Sequence, residues 1–285
     1  MILPLRPPDA RDVARHYGDL DRYYRELWGE HVHHGLWRTG AESSGEAVEA
    51  LVCHVADLAG IAPGDAVCDV GSGYGATARW LWRQRGARTT AVTLSPTQDA
   101  VARAGAGEGP GPRYVLGDWL ENREPPEAFD AVLAIESLSH IADPARALAE
   151  VFRVLKPGGR FVACVWLARE APRAWEVRHL LRPICDEGRL ARLLTAPELV
   201  ELIVDADLRV DGVEDLSRRV ARTWTVCLGR ALRRVASDPE ARRFLLDPSQ
   251  PERVFARTLL RIRLGFATGS LRYGVVRAVK ARGGG

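Results

Sequence analysis

The chain has 285 residues, of which 46% are hydrophobic and 27% charged, and its formal net charge is +3. That length is enough for one large α/β domain with an appended lobe, and the charged fraction excludes a protein that lies mostly within a membrane. Arginine far outnumbers lysine but alternates with Asp and Glu outside the C-terminal third, so the small net charge also argues against nucleic-acid binding.

The first 60 residues predict two helices. Apolar side chains at helical spacing predict an amphipathic helix over residues 9–28. The next segment, 28–37, is rich in aromatic and histidine residues. A capping box formed by Ser43 and Glu46 predicts a second helix, which ends before Gly60.

A short apolar strand, 67–70, then runs into a turn that contains Gly71, Gly73 and Gly75, and a helix follows from Ala76. Glycine adopts positive φ readily, which lets the backbone approach a ligand closely. The helix N-terminus behind the turn offers unpaired N–H groups. This pattern is typical of a nucleotide-like ligand at the end of a strand.

Two kinds of ligand use such a turn. A dinucleotide site also requires an acidic residue about 20 residues further on, but the next strand ends in Thr93-Leu94-Ser95-Pro96-Thr97-Gln98 without a carboxylate. Asp69, two residues before the first glycine, suits a ligand with an ammonium group. The residues therefore favour S-adenosylmethionine (SAM), whose methionyl end carries an ammonium group and which has no pyrophosphate.

Helices and strands alternate after the turn. We predict helix 77–85, strand 89–94, a helix from Thr97, strand 113–116, strand 129–135, a helix capped by Asp143-Pro144, and strand 160–166 after Pro157-Gly158-Gly159. Such alternation predicts a mostly parallel sheet with its ligands at the carboxyl ends of the strands.

From Leu167 the alternation stops. Helical stretches are predicted at 169–188, 197–206, 218–235 and 251–265, around two apolar segments at 208–213 and 271–279. We therefore expect an α/β fold with a Rossmann-like, seven-stranded, mostly parallel sheet, N-terminal helices and a helical lid inserted in the C-terminal third. Residues 1–166 would form the SAM-binding core with its helical cover, and 167–285 the lid with the last two strands.

Taken together, four motifs resemble those of class I SAM-dependent methyltransferases. They are Asp69 to Gly75, Gly117-Asp118-Trp119, Glu136-Ser137 to His140, and Leu155-Lys156-Pro157-Gly158-Gly159. The motifs cover residues 61–166 and, as an ordered set, are highly specific.

A narrower resemblance is to the γ-tocopherol C-methyltransferase-like group. It rests on Trp28-Gly29-Glu30-His31, His33-His34-Gly35, Thr93-Leu94-Ser95-Pro96 with Gln98, and Gly269 to Lys280. That group is related to sugar O-methyltransferases, phosphoethanolamine N-methyltransferases and cyclopropane fatty acid synthases. This resemblance is informative about the subgroup and uninformative about the substrate.

The resemblance implies a set of residues for SAM: Tyr17, His34, Asp69, Gly71, Ser72, Gly73, Thr93, Leu94, Ser95, Gln98, Gly117, Asp118, Trp119, Ile135 and Glu136. Asp69 and the glycine backbone would hold the methionyl end. The Ser95 hydroxyl and the Gln98 amide would replace the missing ribose carboxylate. Asp118 would accept from the adenine amino group, with Trp119 against the ring.

Three residues are candidates for catalysis. His140 follows strand four, and an imidazole suits a general base near neutral pH. In the N-methylating relatives a tyrosine on the N-terminal helix pairs with that histidine, which here implies Tyr17. Glu136 could bind the acceptor or a water. The structural alternatives are that His140 shapes the floor of the site and that Tyr17 belongs to the packed face of its helix.

Other clusters have competing interpretations. Glu30, His31, His33 and His34 invite a metal site, but alternating positions do not converge easily and no cysteine completes the set, so we expect none and favour a cover over SAM. Tryptophans at the end of strand five and in the lid, Trp166, Trp175 and Trp224, are expected to line an apolar acceptor pocket. Lid arginines could serve an anionic acceptor, although solvated helix faces are the better explanation: Arg218, Arg219, Arg222, Arg230, Arg233 and Arg234.

The five cysteines show no paired spacing, and residues 1–6 lack a signal-peptide pattern, so we expect a cytoplasmic protein with reduced thiols. Its expected partner is a small-molecule acceptor. We expect the protein itself to be a monomer or a homodimer. The expected activity is methyl transfer from SAM to carbon or oxygen of a largely apolar phenolic, isoprenoid or other secondary metabolite. The alternatives are an N-methyltransferase, a cyclopropane-type lipid enzyme, and a SAM-binding protein without catalysis.

Overall fold

The computed structural model describes residues 1–107, 109–247 and 255–282. Seven strands form one sheet: β1 (Ala66–Val70), β2 (Arg88–Thr93), β3 (Arg113–Leu116), β4 (Phe129–Ile135), β5 (Leu155–Ala168), β6 (Leu208–Asp215) and β7 (Leu271–Lys280). Their order in space is β3-β2-β1-β4-β5-β7-β6. The first five strands run parallel, and β7 is antiparallel to both of its neighbours. The predicted Rossmann-like sheet is confirmed.

Thirteen helices flank the sheet in the described residues: α1 (Ala10–Asp19), α2 (Asp21–Trp28), α3 (Ser44–Leu58), α4 (Ala76–Arg85), α5 (Pro96–Ala104), α6 (Pro144–Val154), α7 (Ala174–Glu176), α8 (Arg182–Glu187), α9 (Ala196–Asp205), α10 (Ser217–Val220), α11 (Arg222–Ser237), α12 (Pro239–Leu246) and α13 (Phe255–Thr268). Short 3₁₀ turns occupy Trp119–Glu121 and Leu138–His140, and a π-helical turn, Val177–Leu181, joins α7 to α8. Within the part of the chain that the structure describes, no helix is both long and apolar enough to cross a membrane.

Local sequence accounts for several helix ends. Ser43 and Glu46 form the predicted capping box of α3, which satisfies backbone N–H groups that have no partner inside the helix. The Asp143 side chain caps α6, and Pro144 takes its first position, where proline is tolerated because no donor is needed. A side-chain cap of this kind contributes about 1 kcal/mol to helix stability.

The sheet buries both faces, because side chains alternate along each strand. Leu133 of β4 packs on one face with Leu51 and Val55 of α3. Val132, its neighbour along the strand, packs on the other face with Leu148 of α6. A third cluster holds the lid helices α8, α11 and α13 together. The core therefore leaves the carboxyl edge of the strands as the open side of the sheet.

Several predicted boundaries differ from the structure. The expected helix 9–28 is broken at Leu20, a buried residue with non-helical backbone angles that ends α1 and precedes α2. The expected helix 169–188 begins only at Ala174, and α12 was not expected. The proposed division after residue 166 falls inside β5. The first four residues of the expected helix 251–265 lie outside the described residues.

Candidate active site

A cavity of about 210 Å³ opens at the carboxyl edge of the sheet. Its floor consists of residues at the ends of four strands: Val70, the last residue of β1, with Gly71 after it, Leu94 after β2, Gly117 after β3, and Glu136 after β4. Parallel strands bring these ends to one edge, and the chain order reverses between β1 and β4, which is where such sheets bind ligands.

The cover over this floor comes from distant parts of the chain. Val13 and Tyr17 of α1 and Trp28 of α2 line the cavity from the N-terminal side. Trp224 of α11 and Ile262 of α13 line it from the lid. The N-terminal cover and the lid therefore meet over a single site.

The expected SAM residues gather in this cavity with two exceptions. Asp69 and Ser72 do not line it, whereas every other residue of the expected set does: Tyr17, His34, Gly71, Gly73, Thr93, Leu94, Ser95, Gln98, Gly117, Asp118, Trp119, Ile135 and Glu136.

The glycine turn offers the ligand a different set of backbone groups from the one expected. Gly71 and Gly73 have φ of 75° and 53°, the left-handed region that favours glycine. The N–H groups of Gly71 and Ser72, however, both donate to the carbonyl of Val92, at 2.9 Å. The expectation that the Gly71 amide approaches the ligand is therefore wrong, because the turn uses that donor to bind β2.

Gly71 is also required by packing. A Cβ at this position would lie 2.2 Å from the Cβ of Ser137, in addition to the strain of a positive φ. We expect Gly71→Ala to lower the free energy of unfolding by roughly 2–3 kcal/mol, measured by denaturant titration. Gly64→Ala is the control for strain alone, since φ there is +87° and no atom lies within 4 Å of the added Cβ. Equal losses in the two variants would contradict the packing explanation.

Asp69 is the best indication that a cation belongs beside the turn. The residue is 2% exposed, and its Oδ2 has no hydrogen-bond partner in the described residues. Burial raises the pKa of Asp69 from 3.8 to about 7. A buried carboxylate oxygen without a partner is costly, and an ammonium group at the adjoining cavity wall would offset that cost. The site therefore fits the methionyl end of SAM.

At the end of β2, local hydrogen bonds already use most of the polar atoms. The Ser95 hydroxyl accepts from the Gln98 backbone N–H at 3.4 Å and caps α5, which uses one of its two lone pairs and leaves its O–H and second lone pair for a ligand. The Gln98 side-chain carbonyl accepts from Thr93 at 3.1 Å. The groups that remain for a ligand are the rest of the Ser95 hydroxyl and the Gln98 Nε2, which lies toward Gly73.

At the end of β3, Asp118 uses one carboxylate oxygen to cap the short turn after it, accepting from the Leu120 N–H at 2.9 Å. The Trp119 indole N–H donates to the carbonyl of Ala147 in α6 at 3.0 Å. Trp119 is thus a fixed wall of the cavity, and the second oxygen of Asp118 remains available for an exocyclic amino group.

His140 has a defined tautomer. Its Nδ1 lies 2.9 Å from the carbonyl of Arg189, which can only accept, so Nδ1 carries the proton. Its Nε2 therefore holds the lone pair and accepts from the Tyr17 hydroxyl at 3.0 Å. Burial lowers the pKa of His140 to about 4, although the hydrogen bond to Arg189 opposes this shift. His140 is therefore a neutral base at the cavity surface.

Tyr17 complements this base from α1. Burial, with the negative charge of Glu136, raises the pKa of its hydroxyl well above the usual value near 10. Tyr17 therefore stays protonated and serves as a donor to His140. An acceptor hydroxyl that displaced Tyr17 would find the same lone pair.

Glu136, in contrast, accepts four hydrogen bonds from other parts of the protein. Its Oε1 accepts from the His34 N–H at 2.7 Å, the His34 Nδ1–H at 2.9 Å and the Tyr273 hydroxyl at 2.9 Å, and its Oε2 accepts from the Trp166 indole at 2.8 Å. Burial by itself raises the pKa of Glu136, and the hydrogen bonds that it accepts from His34 oppose this and lower the pKa. Three donors crowd Oε1 and one holds Oε2, so the carboxylate is fixed in place by protein groups, which argues against the expected catalytic role.

The far end of the cavity is aromatic. Trp28, Trp166 and Trp224 line it together with Tyr24, and the rings of Trp166 and Trp224 meet edge to face at 5.5 Å. No arginine or lysine of the described residues is among the side chains that line the cavity. The structure therefore offers an aromatic slot without a cationic side chain, and the Trp166 indole at that slot is bound to the carboxylate of Glu136.

The other expected lid residues lie elsewhere. Trp175 is 45% exposed and does not line the cavity, which corrects that expectation. Arg222 lies over the ring of Trp37, Arg230 donates to Ser44, and Arg234 pairs with Glu26. None of the six lid arginines lines the cavity, which favours the preferred interpretation that they belong to helix faces outside the site.

The histidine segment is held by internal bonds. His31 lies 3.1 Å from His33, and the Nδ1 of His33 donates to the carbonyl of His34. The carboxylate of Glu30 lies 3.2 Å from Arg79. In residues 1–107, 109–247 and 255–282, no group of three or more His, Cys, Asp or Glu side chains is arranged to hold a metal ion.

Sequence reasoning missed part of the cavity. Val13 and Tyr24 lie on the apolar stripe of the predicted helix 9–28, and the structure places both at the wall of the ligand cavity. Ile184 and Leu190 of the lid and the carbonyl of Arg189 were also missed. The apolar stripe of α1 and α2 was the available signal, since periodicity cannot distinguish a core from a cavity wall.

Comparison with known proteins agrees with this geometry. Residues 68–163 match a family described as a methyltransferase domain. The probable chloroplastic tocopherol O-methyltransferase of Oryza sativa subsp. japonica is 30% identical over 244 residues, which cover 79% of this chain and 67% of that protein. The 27-O-demethylrifamycin SV methyltransferase of Amycolatopsis mediterranei is 26% identical, with 76% of this chain and 81% of that protein covered.

A solved structure extends the likeness to the whole chain. The [4+2]-cyclase SpnF superposes with a TM-score of 0.81 at 25% identity, over 99% of this chain and 100% of that chain. The N-terminal cover and the lid are therefore part of the shared architecture, and are not additions to the core.

Proposed function

This chain belongs to the class I SAM-dependent methyltransferases that act on small molecules, and we propose that it methylates oxygen or carbon of an uncharged, largely apolar acceptor. SAM, the methyl donor, supplies an electrophilic methyl group on a sulfonium. A neutral His140 beside an aromatic slot without a cationic side chain carries the proposal.

The residues of the chain would bind SAM at one end of the cavity and the acceptor at the other. The glycine turn, Asp69 and the free oxygen of Asp118 would hold the methionyl and adenine ends of SAM. The aromatic slot would orient the acceptor and exclude water. Alignment of donor and acceptor is the main requirement when the methyl group is already activated.

His140 would remove the proton of the acceptor hydroxyl through its Nε2. The hydrogen bond from its Nδ1–H to Arg189 keeps that lone pair in place. The Tyr17 hydroxyl occupies the position that the acceptor hydroxyl would take. The relatives named tocopherol O-methyltransferase and 27-O-demethylrifamycin SV methyltransferase support an oxygen atom as the acceptor.

The proposal is tested by methyl transfer into an extract. Purified protein with radiolabelled SAM should place label in an organic-soluble, uncharged small molecule from its own cell extract. Label in a water-soluble amine would instead support the N-methyltransferase alternative, and label in acyl lipid the cyclopropane-type alternative. SAM binding by calorimetry without transfer to any fraction would support a non-catalytic protein and contradict the proposal.

A further inference from the structure

The Glu136 carboxylate connects parts of the chain that are far apart in sequence. It lies at the end of β4 and receives donors from the N-terminal segment, from β5 and from β7. We propose that Glu136 and His34 form a clasp that holds the two indoles of the acceptor slot in orientation, so that Glu136 is a positioning and specificity-determining residue. This rests on the proposed function, since it concerns the acceptor end of the same site.

The first link of the clasp is direct. The Trp166 indole N–H donates to Glu136 Oε2 at 2.8 Å. Trp166 lies on β5, and its ring faces His34 with ring centroids 5.1 Å apart. The carboxylate therefore sets the rotation of this indole about its own side chain.

The second link runs through His34, which is 1% exposed. The Trp224 indole N–H lies 2.6 Å from His34 Nε2. Because an indole N–H can only donate, Nε2 must hold the lone pair, and Nδ1 must carry the proton that it donates to Glu136. Trp224 belongs to the lid helix α11, so the clasp ties the lid to the sheet through one imidazole.

Backbone geometry indicates that this position is under constraint. Glu136 has φ of 60°, in the left-handed region that a side chain with a Cβ rarely adopts. Such a conformation is strained and persists where the surroundings determine it, most often at functional sites. Here it directs the carboxylate toward four donors at once.

Replacement of the carboxylate by an amide breaks this arrangement in a defined way. In Glu136→Gln the new NH₂ group faces either the Trp166 indole or the donors from His34 and Tyr273, so a donor opposes a donor. We expect faster amide hydrogen exchange in α11, by at least tenfold, in the ligand-free protein. Exchange in β1 and β2 and the affinity for S-adenosylhomocysteine should stay within twofold.

Kinetics then separate positioning from catalysis. With the acceptor that the labelled-methyl assay isolates, Glu136→Gln should raise the acceptor KM about tenfold and change kcat less than threefold, with the pH profile of kcat unchanged. Trp224→Phe, which keeps a ring but lacks the N–H, should raise the acceptor KM by the same factor. The double variant should have an acceptor KM close to that of either single variant. Glu214→Gln, the same substitution at a half-exposed pair with His54, is the control.

Two results would overturn the clasp. A fall of kcat by 100-fold or more with an unchanged KM would make Glu136 a proton carrier. Unchanged exchange in α11 in both Glu136→Gln and Trp224→Phe would show that the lid does not depend on these bonds. If Glu136→Gln fails to fold, Trp224→Phe alone decides. Wild-type protein that does not bind SAM would contradict the proposed function, but it leaves the exchange test of the clasp intact.

Discussion

Replacing His140 with alanine should lower kcat for methyl transfer by about 10²- to 10⁴-fold, the range typical of losing a general base. SAM affinity should change less than threefold, because the proposed role of His140 concerns the acceptor proton. The reason lies in its fixed tautomer, with Nδ1–H on Arg189 and the Nε2 lone pair toward the cavity. Single-turnover methyl transfer with saturating SAM measures this effect.

His140→Asn separates basicity from structure. An asparagine amide can still donate to the Arg189 carbonyl, but it has no basic atom in place of Nε2. We expect it to lose as much activity as His140→Ala. Recovery of activity in the asparagine variant would mean that His140 only shapes the floor of the cavity.

The pH dependence of kcat/KM follows from the same residue. Since burial lowers the pKa of His140 from 6.5 to about 4, the imidazole stays neutral through the whole range above that value. We expect kcat/KM in SAM-saturated enzyme to lack a fall near pH 6.5. Because the pKa of His140 is lower in the folded state, the unfolded chain binds a proton at this histidine at a higher pH than the folded protein does. His140 therefore lowers the free energy of unfolding as pH falls from 6.5 toward 4.

Replacing Asp69 with asparagine should weaken SAM binding by about 10- to 100-fold, the range expected for losing a charge-assisted bond to an ammonium group. The same change should stabilise the SAM-free protein at pH 8. The folded-state pKa of Asp69 is raised from 3.8 to about 7, so the ionised carboxylate costs folding free energy on the order of 4 kcal/mol above pH 7. That cost falls away as pH drops through 7 toward 3.8.

Calorimetric titration of wild type and Asp69→Asn with SAM checks the predicted change in affinity, and thermal melts of the SAM-free proteins check the predicted change in stability. In the wild type, SAM affinity should decrease below about pH 7, because the protonated carboxyl of Asp69 cannot pair with an ammonium group. Binding at pH 6 should release a proton to the buffer, which titrations in buffers of different ionisation enthalpy detect. Equal SAM affinity in wild type and Asp69→Asn would show that the methionyl end of SAM does not bind at Asp69.

The sequence by itself determined the scaffold of this protein. Strand and helix periods, the capping box of Ser43 and the glycines at 71 and 73 act over a few residues, so they were readable without a structure. Parallel strands bring their carboxyl ends to one edge, which is why residues around 71, 94, 117 and 136 could be expected in one site. The Ser95 cap was equally local, since its hydroxyl lies three residues before the Gln98 amide, and that spacing was overlooked.

Tertiary structure alone decided what the polar side chains do. Glu136 meets His34 and Tyr273, which lie 102 and 137 residues away in the chain, and Trp224 meets His34 across 190 residues. Such bonds depend on how helices and strands pack, and no local pattern encodes that orientation. The same holds for Trp175, which helical spacing could not distinguish from the buried Trp224, and for the cover, whose apolar stripe lines a cavity where a packed core was expected.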